Sequence, residues 1–162
     1  MSTKKEEKTP ICCEKFNPAP WNGKLFHWHD KLFVTARVFT FFYMPINFGA
    51  VISRLIGAVE KSKGATPDSL CLSEHTSKWN MNIYLAVDRP INGLENTSLS
   101  GEFLSKVYEG DFRDTGKWCE DFAIFAKQRN KIVEKMYMWY TTCPDCAKKY
   151  SKNYVVIIAR IS

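Results

Sequence analysis

The chain has 162 residues, 45% hydrophobic and 14% aromatic, enough for one domain with a full core and rings to spare. Its net charge of +6 rests largely on lysines such as Lys4, Lys5, Lys8, Lys148, Lys149 and Lys152, with no arginine cluster beside them, so it reads as solvated charge and argues against a nucleic-acid groove. Arg37 and Arg54 break the longest apolar runs, and the polar first ten residues are unlike an export signal, so a cytoplasmic address without a membrane partner is expected.

Residues 1–10 are rich in Lys and Glu and predict a disordered start. Pro18, Pro20, Asn22 and Gly23 extend this into a flexible arm over 1–32, which Trp21, Phe26 and Trp28 pin to the body. Residues 33–43 are β-branched and aromatic and predict a strand. Pro45 and Asn47 end it, and Asn47 is the expected N-cap of a helix carrying Phe48, Val51, Ile52, Leu55, Ile56 and Val59 on one face. Gly64 is expected to close that helix at positive φ. Strands follow near 70–73 and 79–87.

After Pro90, Asn92 and Gly93 the pattern restarts. Residues 98–109 predict a strand with Phe103, Val107 and Tyr108, and Gly110, Asp111 and Asp114 form a turn. The next helix is expected to bury Trp118, Phe122, Phe125, Ile132, Val133 and Met136. Two strands close the chain near 137–141 and 154–161. The order is β-α-β-β, repeated once. The expected fold is α+β: two β-α-β-β modules, 33–90 and 91–162, with an antiparallel sheet, two main helices and a cleft at the seam between them.

Ser100-Gly101-Glu102-Phe103 through Tyr108-Glu109-Gly110 resembles the GyrI-like family, the effector-binding domain of certain AraC- and MerR-type regulators. That family has a Gly-Pro-Tyr type turn where this chain has Gly110-Asp111-Phe112, without the proline. The chain also resembles a set of short bacterial proteins sharing the Cys-Cys arm, the Pro-Ile-Asn-Phe-Gly turn and the Cys-Pro-x-Cys-Ala-Lys end, some of them called hydrolases. The resemblance implies an aromatic cleft for bulky apolar or cationic small molecules, with a buried Glu balancing ligand charge. In some stand-alone members it implies hydrolysis of strained electrophiles by a Glu and a Tyr. The Pro-rich arm at 11–32 is too short for a helix-turn-helix, so a stand-alone binder or enzyme is expected.

In the second module, Glu102 and Tyr108 are an even number of residues apart, so an unbroken strand points both to one face and Glu109 to the other. Tyr137 and Trp139 share a face of a later strand. Trp79, Tyr108, Trp118, Trp139 and Tyr140 are the candidate ligand-binding rings, which would hold a flat or cationic molecule by stacking and cation–π attraction. For hydrolysis, Glu102 or Glu109 is the candidate general base, given a carboxyl pKa raised by burial, and Tyr137 or Tyr108 the hydrogen-bond donor. The competing reading makes the rings core and the acids solvated.

Cys143-Pro144-Asp145-Cys146 has the two-residue spacing of a metal knuckle, and Cys12 and Cys13 offer a second pair, with His27 and His29 nearby in sequence. Together the four thiols suggest a zinc that staples the arm to the C-terminal hairpin; the alternative is four reduced thiols near the surface. Cys71 and Cys119 read as small buried hydrophobes. Two contrasting functions stand beside the small-molecule cleft: a zinc-stabilised protein-interaction module, and a haem or tetrapyrrole carrier.

Overall fold

The structure is a computed structural model and describes residues 16–141 and 153–162. The first strand, β1, runs over Lys24–Phe41 and is followed by the two-residue β2, Met44–Pro45. Helix α1 spans Phe48–Lys61, then come β3 (Cys71–Ser77) and β4 (Asn80–Ala86). The second half repeats the order with β5 (Glu95–Glu109), α2 (Thr115–Gln128), β6 (Val133–Tyr140) and β7 (Tyr154–Ile161). The fold is therefore α+β, two β-α-β-β modules sharing one antiparallel sheet.

The sheet curls into a barrel because β1 is long enough to serve two neighbours. Its residues 33–39 pair with β4, and its residues 24–35 pair with β5, which closes the order β1-β4-β3-β6-β7-β5 on itself. The pairing with β5 slips between Trp28 and Lys31, where Asp30 takes a φ of 48°. This bulge is tied down by the Asp30 amide, which donates to the Ser100 hydroxyl at 2.8 Å. A bulge adds a residue and restores the inside–outside alternation on its far side. Phe26 and Trp28 before it, and Phe33 after it, thus all face inward. The arm expected over 1–32 is correspondingly shorter at its C-terminal end: Lys24 onward is strand.

Alternation then sorts the apolar residues into three cores. Outside the barrel, α1 lays Val51, Leu55 and Val59 on Val34, Val38, Met81 and Ile83. Also outside, α2 lays Trp118, Phe122 and Phe125 on Leu104, Met138, Val155 and Ile157. Inside, Phe33, Leu72, Phe103, Tyr137, Trp139 and Ile158 meet. Each fully buried large side chain contributes about 1.5–3 kcal/mol.

Three local expectations are corrected. Asn47 does not cap α1 through its side chain; its Oδ1 accepts the Phe39 amide at 2.8 Å and so clamps the preceding strand. Lys63, not Gly64, adopts positive φ after α1, and Gly64 is needed for space, since a Cβ there would come within 3.1 Å of Val59. Helix α2 stops at Gln128, with Asn130 at a φ of 56°, so Val133 and Met136 belong to β6 and Ile132 is exposed.

Candidate functional site

The seam between the modules is the barrel interior, and rings fill it. Trp28 lies 4.4 Å from Phe103 and 5.8 Å from Phe33 between centroids, Phe33 stands edge-on to Tyr84, and Tyr84 to Tyr137 at 5.7 Å. Residues 16–22 cover one end: Phe16 and Trp21 pack edge-on against Trp139 at 5.3 and 5.0 Å. The buried Ser105 hydroxyl donates to the Trp21 carbonyl at 2.5 Å, and the Val107 amide donates to Asn22 Oδ1, which fastens this segment to β5. The expected hollow lined by rings is thus occupied by the protein's own side chains.

Open space lies instead on the inner face where β5 begins, across β1 from β4. A hollow of about 410 Å³ is bounded there by Thr35, Arg37, Asn82, Tyr84, Glu95 and Thr97. Its Tyr84 wall is tied to a charged pair. The Tyr84 hydroxyl donates to Glu74 Oε2 at 2.8 Å, and Lys135 Nζ lies 3.2 Å from Glu74 Oε1. Burial, reinforced by the Glu74 carboxylate, pushes the Tyr84 phenol well above its ordinary pKa, and burial pushes Tyr137 upward too. Both phenols are hydrogen-bond donors at neutral pH. Glu74 was not expected from the sequence. Its signal is the alternation Leu70, Leu72, Glu74, which puts a carboxylate on the inward face of β3, opposite Asn82 of β4.

The residues expected to form one site are divided among several. Glu102 and Tyr108 do share a face of β5, but it is the outer one, beneath α2. Glu102 Oε1 takes Lys131 Nζ at 2.6 Å, and Oε2 lies 3.4 Å from His27 Nε2. The Lys131 ammonium holds the Glu102 carboxyl below the usual range, the reverse of the shift a general base needs near neutral pH. The Tyr108 hydroxyl donates to Asp121 at 2.6 Å, and its ring stacks on Trp118. Tyr140 packs in the same α2 core, and burial lifts its phenol to about 12. Tyr137 and Trp139 share a face as expected, but it is the inner one, across the sheet from Glu102, and both are buried. Glu109 is exposed at the end of β5, and Trp79 stands on an aromatic tip away from the rest.

Cys12, Cys13, Cys143 and Cys146, the candidate zinc ligands, lie outside the described residues. Among the described residues no three His, Cys, Asp or Glu side chains group as a metal site. His27 sits beside Glu102, His29 beside Asp30, and His75 against Tyr43. Burial raises the Cys71 thiol to about 12 and raises that of Cys119, so both behave as the small hydrophobes expected. No helix among the described residues is long and apolar enough to cross a membrane.

The family model described as bacterial hydrolase matches residues 3–161. No curated protein matches the sequence. Among solved structures, the EcmrR C-terminal domain is similar at a TM-score of 0.62 and 8% identity, over 88% of this chain and 98% of that one. EcmrR in a DNA complex is similar at 0.61 and 9%, over 88% of this chain and 57% of that longer one. SAV2435 bound to tetraphenylphosphonium gives 0.49 and 12%, over 87% and 94%. At such identities the likeness is one of fold.

Proposed function

We propose, for a chain that belongs to the bacterial hydrolase family, that the barrel mouth binds a small polar molecule and hydrolyses it. The observation that carries this reading is the hollow itself. Its volume of about 410 Å³ falls in the range of ligand sites, and its wall sets Arg37 and Asn82, both able to donate, beside the carboxylate of Glu95. Arg37 and Asn82 would hold the oxygen of a carbonyl or similar electrophile and stabilise the negative charge that grows on it. Glu95 would take a proton as a water oxygen bonds to the electrophilic carbon. The proton then passes to the leaving group as its bond to that carbon breaks. Glu74, paired with Lys135, accepts the hydrogen bond of the Tyr84 hydroxyl and so fixes that ring as a wall of the hollow.

A panel of activated nitrophenyl esters, followed by nitrophenolate release, tests the proposal. Glu95→Gln should lower kcat by about 100-fold or more, in line with the loss of a general base. Arg37→Ala should act on both KM and kcat, and Glu102→Gln on neither. Turnover unaffected by Glu95→Gln and Arg37→Ala would refute the assignment.

A second reading keeps the aromatic ligand class. Phe16, Trp21, Phe26 and Trp28 are half-buried rings at the rim of the inner core, and a flat or cationic molecule could stack there by displacing residues 16–22. Titration with a lipophilic cation would then quench tryptophan emission in the parent chain, and the quenching would fall in Trp21→Ala.

A further inference from the structure

The connection from β1 to α1 carries a cluster of large apolar side chains left mostly open to solvent. Phe41, Phe42, Tyr43, Met44, Ile46 and Trp79 are each between 46% and 70% exposed. Phe41, Phe42 and Trp79 form one surface, with Phe41 and Phe42 lying 5.7 and 5.1 Å from Trp79 between ring centroids, and Met44 pairs with Phe41 across the short β1–β2 turn. The backbone beneath is firmly bonded. The Thr40 amide donates to the Trp79 carbonyl at 2.9 Å, the Tyr43 amide to the Lys78 carbonyl at 3.0 Å, and the Ile46 amide to the Phe39 carbonyl at 2.9 Å. Phe42 and Tyr43 nevertheless stand at φ of 45° and 69°, where glycine or asparagine fits better. Backbone preference therefore does not account for aromatic residues at these two positions.

Charge narrows what could cover the tip. Residues 31–59 and 75–87 contain Lys31, Arg37, Arg54 and Lys78 but not one Asp or Glu. Lys78 is at the tip itself, its ammonium 5.4 Å from the centre of the Phe42 ring and 6.0 Å from that of Trp79. Two copies meeting tip to tip would bring their Lys78 ammonium groups together, with no acid in either stretch to offset them. An anionic bilayer surface answers both features. Aromatic rings and a methionine enter the headgroup layer, and the lysine meets lipid phosphate.

We propose that this tip docks the protein on anionic lipid bilayers, as a peripheral contact that spans nothing. This goes beyond the barrel-mouth reading and does not depend on it. It also departs from the expectation of no membrane partner, which rested on the absence of a spanning segment alone.

The test is sedimentation of the full chain with vesicles of phosphatidylglycerol and phosphatidylcholine, or of phosphatidylcholine alone, beside sizing chromatography. The chain should partition onto the anionic vesicles only. The double variant Phe42→Ser with Met44→Ser should lose about tenfold in partition or more at unchanged melting temperature. Lys78→Glu should weaken it further at low salt than at high salt. Absence of partition onto anionic vesicles would overturn the proposal. So would full partition by the double variant, because that variant retains every lysine and binding would then be plain charge attraction. A dimer dissolved by the double variant, with no lipid partition, would overturn it in favour of self-association.

Discussion

The two β-to-α connections occupy equivalent places in the two modules and are built oppositely. After β5, Gly110 takes the left-handed φ of 146° that an unbranched backbone favours. The turn continues with Asp111, whose carboxylate accepts the Arg113 amide at 2.9 Å and its guanidinium at 3.0 Å. After β1, the same change of direction is made with Phe42 and Tyr43, and large apolar side chains are left in solvent. One connection follows local backbone chemistry; the other overrides it. Side chains kept against such a preference support the proposed bilayer contact at the tip, apart from the site proposed at the barrel mouth.

The comparison requires that both connections hang on one cooperative unit. Phe103→Ala tests this with the largest effect. Its ring is fully buried where the modules meet, so truncation should cost about 3–5 kcal/mol and lower one unfolding transition shared by both modules. Two separate transitions in chemical denaturation would break the comparison. A smaller effect comes from the turns themselves. Gly110→Ala forces a Cβ into a left-handed backbone and to within 3.4 Å of Trp118, and should destabilise by about 1–2 kcal/mol. Phe42→Asn moves the opposite way. It relaxes the backbone, loses only exposed ring contacts, and should leave stability equal or higher by about 0.5 kcal/mol. Equal losses from the two substitutions would show the tip to be structural after all.

Period and punctuation in the sequence carried the fold further than the site. The helix over residues 48–61 was legible because Val51, Leu55 and Val59 repeat at helical spacing, and the strand at 154–161 because almost all of it is apolar. Strand parity also placed Glu102 with Tyr108, and Tyr137 with Trp139. Parity says which residues share a face, though, and not which face is inside. That depends on closure of the barrel by β1 and β5, a contact between residues far apart in sequence. The bulge at Asp30 and the filling of the interior by Phe16 and Trp21 depend on the same closure. Glu95 was missed for this reason, since only the β1–β5 pairing sets it opposite Thr35 at the barrel mouth, whereas Glu74 meets Tyr84 across the local β3–β4 hairpin and was legible in the alternation Leu70, Leu72, Glu74.

The smallest effect concerns His75, which sits beneath the aromatic tip and so joins the two themes. Its ring lies edge-on to Tyr43 at 5.6 Å, and its buried Nδ1 has no hydrogen-bond partner. Burial disfavours the imidazolium and lowers the His75 pKa below the ordinary value of 6.5. The unfolded chain therefore binds a proton at His75 more readily than the folded one does. Well above pH 6.5 the imidazole is neutral in both states and this contribution to stability is complete. As pH falls through 6.5 toward the lowered folded value, the unfolded state gains the proton first and stability declines. The melting temperature of the parent chain should thus drop more between pH 7 and pH 5 than that of His75→Phe, in which an apolar ring keeps the Tyr43 contact. Identical pH profiles for the two chains would mean that His75 is hydrated in solution, and that the packing beneath the tip is looser than its hydrogen bonds imply.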